Sequence, residues 1–207
     1  MRSIIHDVRA VLTAIFVLTV VCGIVFPAVV WGFARLFPDR AHGSLLTIHG
    51  LPRGSRLLGQ GFTAPRYFHS RPSAAGGGYD ATSSGGSNLP PSSRALGDLI
   101  AKRASDYRVV NGLPPNVPVP ADALTASASG LDPHISHENA AAQTDRVARA
   151  RGVTSERVAK LVAAQTDGPT LGVIGRPRVN VLMLNLALDR VMPISGVASD
   201  AMGEGKP

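Results

Sequence analysis

The first pattern in the chain is a long apolar run near its N-terminus. No charged residue occurs from Ala10 to Ala34. A helix of this length extends about 37 Å at ~1.5 Å per residue, which is enough to cross a ~30 Å hydrocarbon core with some tilt. Arg9 and Arg35 bracket the run, and Trp31 near one end is typical of the headgroup region. The pattern predicts one transmembrane helix over residues 10–35.

Two other interpretations of this run are weaker. A cleaved signal peptide has an apolar core of about 7–15 residues followed by a small-residue cleavage site. This run is longer, and residues 31–37, WGFARLF, offer no such site. A buried helix of a soluble protein would need a larger protein around it to cover apolar surface on all sides. Pro27 is tolerated in a membrane helix and is expected to kink this one.

The charges on the two sides of the run do not decide its orientation. Two arginines lie in the tail before it and two in the residues directly after it, so the positive-inside count is equal. The terminal amino group adds a charge to the tail, and long domains cross a membrane largely regardless of their own charge. We therefore expect residues 1–9 to form a cytoplasmic tail and residues 36–207 to form an extracytoplasmic domain.

Beyond residue 36 the pattern changes from short strands to amphipathic helices. Apolar groups at 45–48 and 57–58 flank a stretch with glycine and proline at 50–54, which predicts a hairpin. Apolar residues then recur at helical spacing. The combination predicts an α+β fold class for the domain that follows the transmembrane helix. Helices are predicted over residues 92–108, 121–124, 136–150 and 155–165.

The most apolar part of the predicted domain is the run from Val179 to Leu188. Pro177 and the β-branched Val179 and Val181 favour a strand, and alternate leucines continue its period. A short helix after Leu184 is an alternative, and either structure would lie in the core. Residues from about 190 to 207 are rich in glycine and are expected to be flexible.

Residues 63–93 are rich in glycine, proline and serine. A stretch of this composition is either a flexible linker or a functional loop. Tyr67, Phe68 and Tyr79 favour a loop, because solvated linkers rarely contain aromatic residues. We therefore expect an ordered loop that packs against other parts of the protein.

Composition limits the chemistry without choosing a function. The chain has 207 residues, enough for one or two domains, and a net charge of +7. Such a charge suits nucleic acid, anionic lipid or an acidic partner, and does not distinguish among them. The one cysteine, Cys22, lies in the apolar run, so the domain must be held together by packing without an internal disulfide.

The sequence contains no motif for catalysis or phosphate binding. Neither the G-x-x-x-x-G-K-[ST] loop nor the G-x-S-x-G elbow is present. His134 and His137 lie near Asp132 and Glu138, which are possible zinc ligands by type. His-Glu-x-x-His is absent, however, and Ser136 favours a helix N-terminus here. We expect no catalytic residue, no metal and no firmly bound cofactor.

A basic cluster raises nucleic-acid binding as a separate hypothesis. Residues 144–165 combine two predicted helices around Gly152 and fit a helix-turn-helix with the second helix as the reading helix. A solvated basic face, or a face for an acidic partner, explains the same arginines. DNA binding would require a cytoplasmic domain, so we expect no nucleic-acid partner and keep a membrane-tethered DNA-binding protein as a remote alternative. The cluster consists of Arg146, Arg149, Arg151 and Arg157.

Seven short motifs follow the apolar run. In their order they closely resemble the C subunit of the Kdp potassium-transporting P-type ATPase, and the similarity extends from the run to Asp189. The motifs are GQGF at 59–62, YFHSRPSA at 67–74, SGGSNL at 84–89, PVP at 118–120, LTASASGLDPHIS at 124–136, RVARARG at 146–152 and PRVNVL at 177–182 with LNLALD at 184–189.

The resemblance implies an accessory subunit of a high-affinity, ATP-driven potassium uptake complex in the bacterial inner (plasma) membrane. It implies three partners: a P-type ATPase subunit, a channel-like potassium-binding subunit and a small single-helix subunit. The chain is then expected to assist assembly and to act as a catalytic chaperone that raises the ATP affinity of the ATPase subunit. ATP would be held in a transient ternary complex. The resemblance also implies a cytoplasmic N-terminus and a periplasmic or extracellular C-terminal domain.

The nucleotide role conflicts with this topology, because an extracytoplasmic domain cannot touch cytoplasmic ATP. The alternative is a periplasmic lid or stabiliser of the potassium entry with no nucleotide role. The candidate nucleotide-binding stretch is similar to the signature of ABC transporters but lacks its glutamine. Its residues are Ser84, Gly85, Gly86, Ser87 and Asn88.

Partner contacts are predicted in the part of the loop over residues 62–89. Aromatic residues and arginine are enriched at interface hot spots, which makes four residues candidates for contact with another subunit. The alternative is that the aromatic rings close the core of the domain itself. The four candidates are Tyr67, Phe68, Arg71 and Tyr79.

Overall fold

The computed structural model describes residues 2–48 and 50–193. Contacts divide the chain into two compact units, residues 1–55 and 56–207. Helices and strands are mixed along the chain, so the predicted α+β class is confirmed. The flexibility predicted for the C-terminal residues concerns positions that lie almost entirely outside the described residues.

The first unit begins with a helical segment that contains the apolar run. It consists of α1 (Arg2–Val20), a π-helical turn (Val21–Val25) and α2 (Phe26–Ala34). Residues 6–34 are long and apolar enough to cross a membrane, with a mean hydropathy of 2.6 and no part buried inside the structure. Pro27 has no N–H and its ring crowds the preceding turn, so the wider π-helical turn makes room for it. The irregularity expected at Pro27 therefore lies in this turn.

A short helix and a hairpin complete the first unit. Ile48 pairs with Leu51, and Gly50 between the two strands has a φ of +77°. A left-handed glycine allows a very short connection, so the second strand begins before the predicted position at 57–58. The elements are α3 (Pro38–Ala41), β1 (Leu45–Ile48) and β2 (Leu51–Ser55).

The second unit combines helices with a three-stranded antiparallel sheet. Its strand order is β3-β5-β4, and Val179 in the central strand is opposite Ile135 on one side and Thr166 on the other. The elements are α4 (Arg94–Asn111), α5 (Ala121–Leu124), β3 (His134–Ser136), α6 (His137–Arg151), α7 (Ser155–Ala164), β4 (Thr166–Asp167), β5 (Arg178–Asn180) and α8 (Val181–Val191).

Local sequence signals explain where α6 begins and ends. Ser136 caps its N-terminus, with Oγ accepting a hydrogen bond from the Asn139 N–H at 3.0 Å. Gly152 ends it with a φ of +65°, a left-handed conformation that glycine adopts without strain. The two helices predicted on either side of Gly152 are confirmed to within one residue at each end.

The apolar run at 179–188 is mostly helical. Asn180 Oδ1 accepts a hydrogen bond from the Met183 N–H at 3.2 Å, so it caps α8 and ends the strand. The strand prediction was therefore wrong beyond Asn180, and the helix begins earlier than the alternative placed it. Leu184 and Leu188 are fully buried, so the prediction of a core position is confirmed.

The core of the second unit lies among α6, α7, α8 and the sheet. One of its members, Phe68, comes from the long loop over residues 63–93 and is 0 % exposed. The loop is therefore ordered and packed, as predicted, and is called the central loop below. The buried apolar cluster consists of Phe68, Ile135, Ala140, Val147, Ala148, Val158, Val162, Val179, Val181, Leu184, Leu188 and Met192.

Candidate functional site

Two side-chain amides hold consecutive backbone units of the central loop. Asn185 on α8 accepts a hydrogen bond from the Phe68 N–H at 2.8 Å and donates to the Phe68 carbonyl at 3.0 Å. Gln143 on α6 accepts from the His69 N–H at 2.7 Å and donates to the His69 carbonyl at 3.1 Å. Both amides are 1 % exposed. Each one satisfies a buried backbone donor and acceptor, as a neighbouring strand would do.

Arg146 on α6 binds the loop at residues that precede Phe68 in the sequence. Its Nη1 donates to the carbonyl oxygens of Pro65 at 2.6 Å and Tyr67 at 2.9 Å. Its Nε donates to Asn111 Oδ1 at 2.9 Å and its Nη2 to Gln143 Oε1 at 2.7 Å. Burial lowers the pKa of Arg146 to about 10, so the guanidinium stays protonated at neutral pH. One buried cation thereby joins the loop to α4 and α6.

Arg151 on the last turn of α6 joins the loop to the end of α8. Its Nε donates to the Arg66 carbonyl at 2.8 Å, and its Nη2 donates to Asp189 Oδ1 at 2.8 Å. The Tyr67 hydroxyl donates to the other oxygen of Asp189 at 2.9 Å. Burial raises the pKa of Tyr67, and the nearby Asp189 carboxylate raises it further. The arginine, the tyrosine and the carboxylate form one linked group.

The second half of the loop is tied to the segment before β3. Arg71 Nη1 donates to Asp132 Oδ2 at 2.9 Å, and its Nη2 donates to the Thr125 carbonyl at 3.3 Å. Burial alone would raise the pKa of Asp132, but hydrogen bonds from His134 and Arg71 outweigh it and lower the pKa to about 2. Asp132 is therefore ionised at neutral pH and pairs with Arg71.

A glycine allows the loop to approach this segment closely. Gly130 has a φ of +68°, and a Cβ at this position would lie 2.6 Å from both the Ala75 nitrogen and the Gly85 oxygen. Ser73 Oγ donates to the Gly130 carbonyl at 2.6 Å and accepts from the Tyr79 N–H at 2.8 Å. Since a side chain cannot fit here, the contact depends on glycine.

The candidate nucleotide-binding stretch, residues 84–88, runs along the same segment. The Gly85 N–H donates to the Ser129 carbonyl at 2.9 Å, and Ser84 Oγ donates to the same oxygen at 3.0 Å. Gly86 packs against Ala128. Ser87 and Asn88 are exposed. Two of the groups that could bind a phosphate are therefore already engaged inside the protein.

The four predicted partner contacts differ in their positions. Phe68 is completely buried, which supports the alternative that its ring closes the core, and its contact with another subunit stays a prediction. Tyr67, Arg71 and Tyr79 are partly exposed and make hydrogen bonds within the unit. The Tyr79 hydroxyl donates to the Arg71 carbonyl at 2.5 Å. Contact of these three with another subunit stays a prediction.

The residues considered as zinc ligands have other contacts. His134 Nδ1 lies 3.3 Å from Asp132 Oδ1, and His137 Nδ1 lies 3.2 Å from Thr166 Oγ1. Among the described residues, no group of three His, Cys, Asp or Glu side chains is placed to hold a metal. Ser136 begins α6 instead, as the helix interpretation predicted.

The basic cluster is not one solvated face. Arg146 is 5 % exposed and Arg151 is 8 % exposed, with guanidinium groups that bond to the central loop. Arg149 and Arg157 are exposed. Half of the predicted cluster therefore serves the core, and only Arg149 and Arg157 remain of the basic surface that the helix-turn-helix hypothesis assumed.

Sequence reasoning missed the polar residues that hold the loop. Gln143, Asn185 and Asp189 were not singled out, and Arg146 and Arg151 were assigned to a surface. A signal was available for Asn185, because an amide in the middle of a leucine-rich run requires a buried hydrogen-bond partner. No comparable signal identifies the backbone units that it binds.

The fold defines a class of protein. The chain is an α+β protein whose N-terminal helix is long and apolar enough to span a membrane. In its second unit, buried polar side chains hold a long loop. The chain belongs to the KdpC family: the family described as "KdpC: K+-transporting ATPase, c chain" matches residues 8–190. The predicted resemblance to the C subunit is confirmed, and with it the expectation of an accessory subunit rather than the enzyme itself.

Curated relatives cover nearly the whole chain. A protein of Kineococcus radiotolerans is 48% identical over 193 residues, which are 93% of this chain and 98% of the relative. Proteins of Mycobacterium tuberculosis and of Koribacter versatilis are 50% and 48% identical over 87% and 86% of this chain, and over 96% and 91% of their own lengths. All three are named "Potassium-transporting ATPase KdpC subunit".

Proposed function

We propose that the chain is a non-catalytic subunit of a potassium-transporting ATPase complex, which assists assembly and raises the ATP affinity of the ATPase subunit through protein contacts. Family membership and the names of the relatives support the first part of this proposal. The partners are the ATPase subunit, a channel-like potassium-binding subunit and a small single-helix subunit. In this proposal no nucleic acid is bound.

The observation that carries the proposal is the way in which the central loop is held. Four buried side chains bind main-chain groups of residues 65–69, so the loop has a fixed conformation before any partner arrives. A preformed surface loses less conformational entropy on binding than a flexible one. The loop therefore suits a lasting protein contact. The four side chains are Gln143, Arg146, Arg151 and Asn185.

The effect on ATP is proposed to be indirect. The Gly85 N–H and the Ser84 hydroxyl are bonded to the Ser129 carbonyl, which leaves the stretch at 84–88 poorly suited to hold a phosphate. Contacts with the membrane-embedded subunits would instead favour the conformation of the ATPase subunit that binds ATP, since a partner that binds one state better shifts the equilibrium toward it. The same engagement of Ser84 and Gly85 favours the second candidate, a lid or stabiliser of the potassium entry without a nucleotide role.

The proposed location is the bacterial inner (plasma) membrane. The tail before residue 10 would lie in the cytoplasm, α1 and α2 would cross the membrane once, and the second unit would lie in the periplasm or outside the cell. This orientation also makes a direct contact with cytoplasmic ATP impossible for the second unit.

The test compares the reconstituted complex with and without this chain. Potassium-stimulated ATP hydrolysis is measured as a function of ATP concentration and then of potassium concentration. A higher KM for ATP in its absence, with intact assembly, supports the chaperone role. An unchanged KM for ATP with altered potassium dependence supports the lid. Hydrolysis by the isolated chain, or no effect of its omission on assembly and activity, contradicts the proposal.

A further inference from the structure

A small apolar hairpin projects from the second unit between β4 and β5. We call residues 168–175, GPTLGVIG, the hairpin tip. Thr170 and Ile174 close it: the Thr170 N–H donates to the Ile174 carbonyl at 2.8 Å, and the reverse hydrogen bond measures 3.0 Å. Beyond this bridge the apolar side chains face solvent, with Leu171 86 % and Val173 82 % exposed and Ile174 61 % exposed. Three large aliphatic side chains on one turn are therefore exposed together.

Leu171 is an unfavourable residue for this turn. Its φ is +55° and that of Gly172 is +77°. Two consecutive left-handed residues favour Asn-Gly, and a bulky side chain in this conformation is a true outlier. The Leu171 side chain is 86 % exposed, so it buries little surface against the unit. Strain of this type is found where a residue serves a ligand or partner.

The hairpin tip is too small to capture an independent protein. Stable interfaces bury roughly 800 Å² on each partner, which is far more than three aliphatic side chains provide. A second copy of the chain therefore could not be held by this patch alone. A partner that other contacts already hold next to the chain can still bind the hairpin tip, because this second contact then forms at a high effective concentration.

The backbone of the hairpin tip favours a protein over lipid as this occupant. In the described part of the chain, the carbonyl oxygens of Leu171, Gly172 and Val173 accept no hydrogen bond from the backbone. Hydrocarbon cannot supply donors for them, whereas a protein socket can. Arg176 follows the tip directly and is exposed, and Arg178 is partly exposed. These cations are complementary to carboxylates at the rim of such a socket.

We propose that the hairpin tip docks into an apolar socket with an acidic rim on another subunit of the potassium-transporting complex. This inference rests on the proposed function, since that complex supplies the neighbour. Leu171 and Val173 enter the socket, donors of the partner satisfy the carbonyls of the turn, and Arg176 pairs with the rim.

Two substitutions test the contact in the full chain. Leu171→Asn suits the left-handed conformation, so melting should stay the same or rise, while retention of the chain in the purified complex should fall by roughly tenfold or more because a buried leucine contact is lost. Val173→Thr should act in the same direction. The matched control is Val109→Thr on α4, where the valine is 79 % exposed, and it should leave retention unchanged. Normal retention of both tip variants would overturn the inference.

A photoreactive amino acid at position 171 identifies the occupant. In the assembled complex in vesicles of phosphatidylglycerol and phosphatidylethanolamine, illumination should link the chain to another subunit, and acidic residues of that subunit should lie near the linked position. A product with lipid or with a second copy would overturn the inference. If the unsubstituted chain itself fails to join the complex, the proposed function fails instead, so the two failures are distinguishable.

Discussion

Single polar residues in the core decide the conformation of the central loop. Asn185 and Gln143 each bind both the N–H and the carbonyl of one loop residue, in a region that water does not reach. Removing one partner of such a buried pair leaves the other unsatisfied, which costs about 1–3 kcal/mol for each group. The loop is therefore fixed by specific hydrogen bonds in addition to the burial of Phe68.

Replacement of Phe68 separates a core role from a partner role. We expect Phe68→Ala to lower the free energy of unfolding by about 3–5 kcal/mol, because it leaves a cavity beneath the loop. Phe68→Leu is the conservative control and should cost clearly less than Phe68→Ala, because it leaves a smaller cavity. Denaturant unfolding of the full chain in detergent, followed by circular dichroism, measures both. Unchanged stability together with lost retention in the complex would instead support the predicted partner contact.

Asp132 should make stability depend on acid pH. Its folded pKa of about 2 lies below the ordinary aspartate value of 3.8, so folding stabilises the carboxylate. The contribution is fully present above about pH 4 and is lost as the pH falls through the folded value of about 2.

The measurement for Asp132 is unfolding between pH 2 and pH 5 for the original chain and for Asp132→Asn. The variant should lack this part of the pH dependence. Asp98→Asn on α4 is the control, because the Asp98 side chain is 76% exposed. Equal pH dependence of the chain and of Asp132→Asn would contradict the role assigned to the Arg71 and His134 contacts.

At the scale of elements, the contact between the central loop and the segment before β3 depends on Gly130. Gly130→Ala combines a left-handed φ with a Cβ 2.6 Å from two backbone atoms. Gly152→Ala is a matched control, since its φ of +65° is nearly the same and no heavy atom lies within 4 Å of the added Cβ.

Both glycine variants should lose about 1–2 kcal/mol from the backbone conformation, and Gly130→Ala should lose clearly more because of the clash. Thermal melting of the two variants measures the difference. Equal losses would show that the loop can move away from Gly130 without a penalty.

The sequence predicted the regular elements better than the loop. Periodicity, Ser136 and Gly152 located α6 and α7, because these signals act within a few residues. The alternation of leucines after Asn180 predicted a strand, but the Asn180 side chain caps a helix that begins at the next residue. The positions of Arg146 and Arg151 could not be predicted, because their acceptors lie about eighty residues earlier in the chain and no local pattern records them.

At the scale of the whole molecule, the proposed orientation of the chain in the membrane is testable. A reporter that fluoresces only in the cytoplasm, fused after Pro193, should stay dark, because the second unit is expected outside. The same reporter fused before Arg2 should be bright and serves as the control. A bright fusion after Pro193 would reverse the orientation and make direct contact with ATP possible again.

The bonds that hold the central loop join residues far apart in the chain. Phe68 binds Asn185 across 117 positions, and His69 binds Gln143 across 74. During synthesis the loop therefore exists long before its anchors, and it can take its shape only after α8 has been made. Such long separations slow folding, since the chain must close large loops before it gains their contacts. A chain truncated before α8 would lack Asn185, which binds the Phe68 backbone. The loop is therefore expected to hold its conformation only when α8 is present.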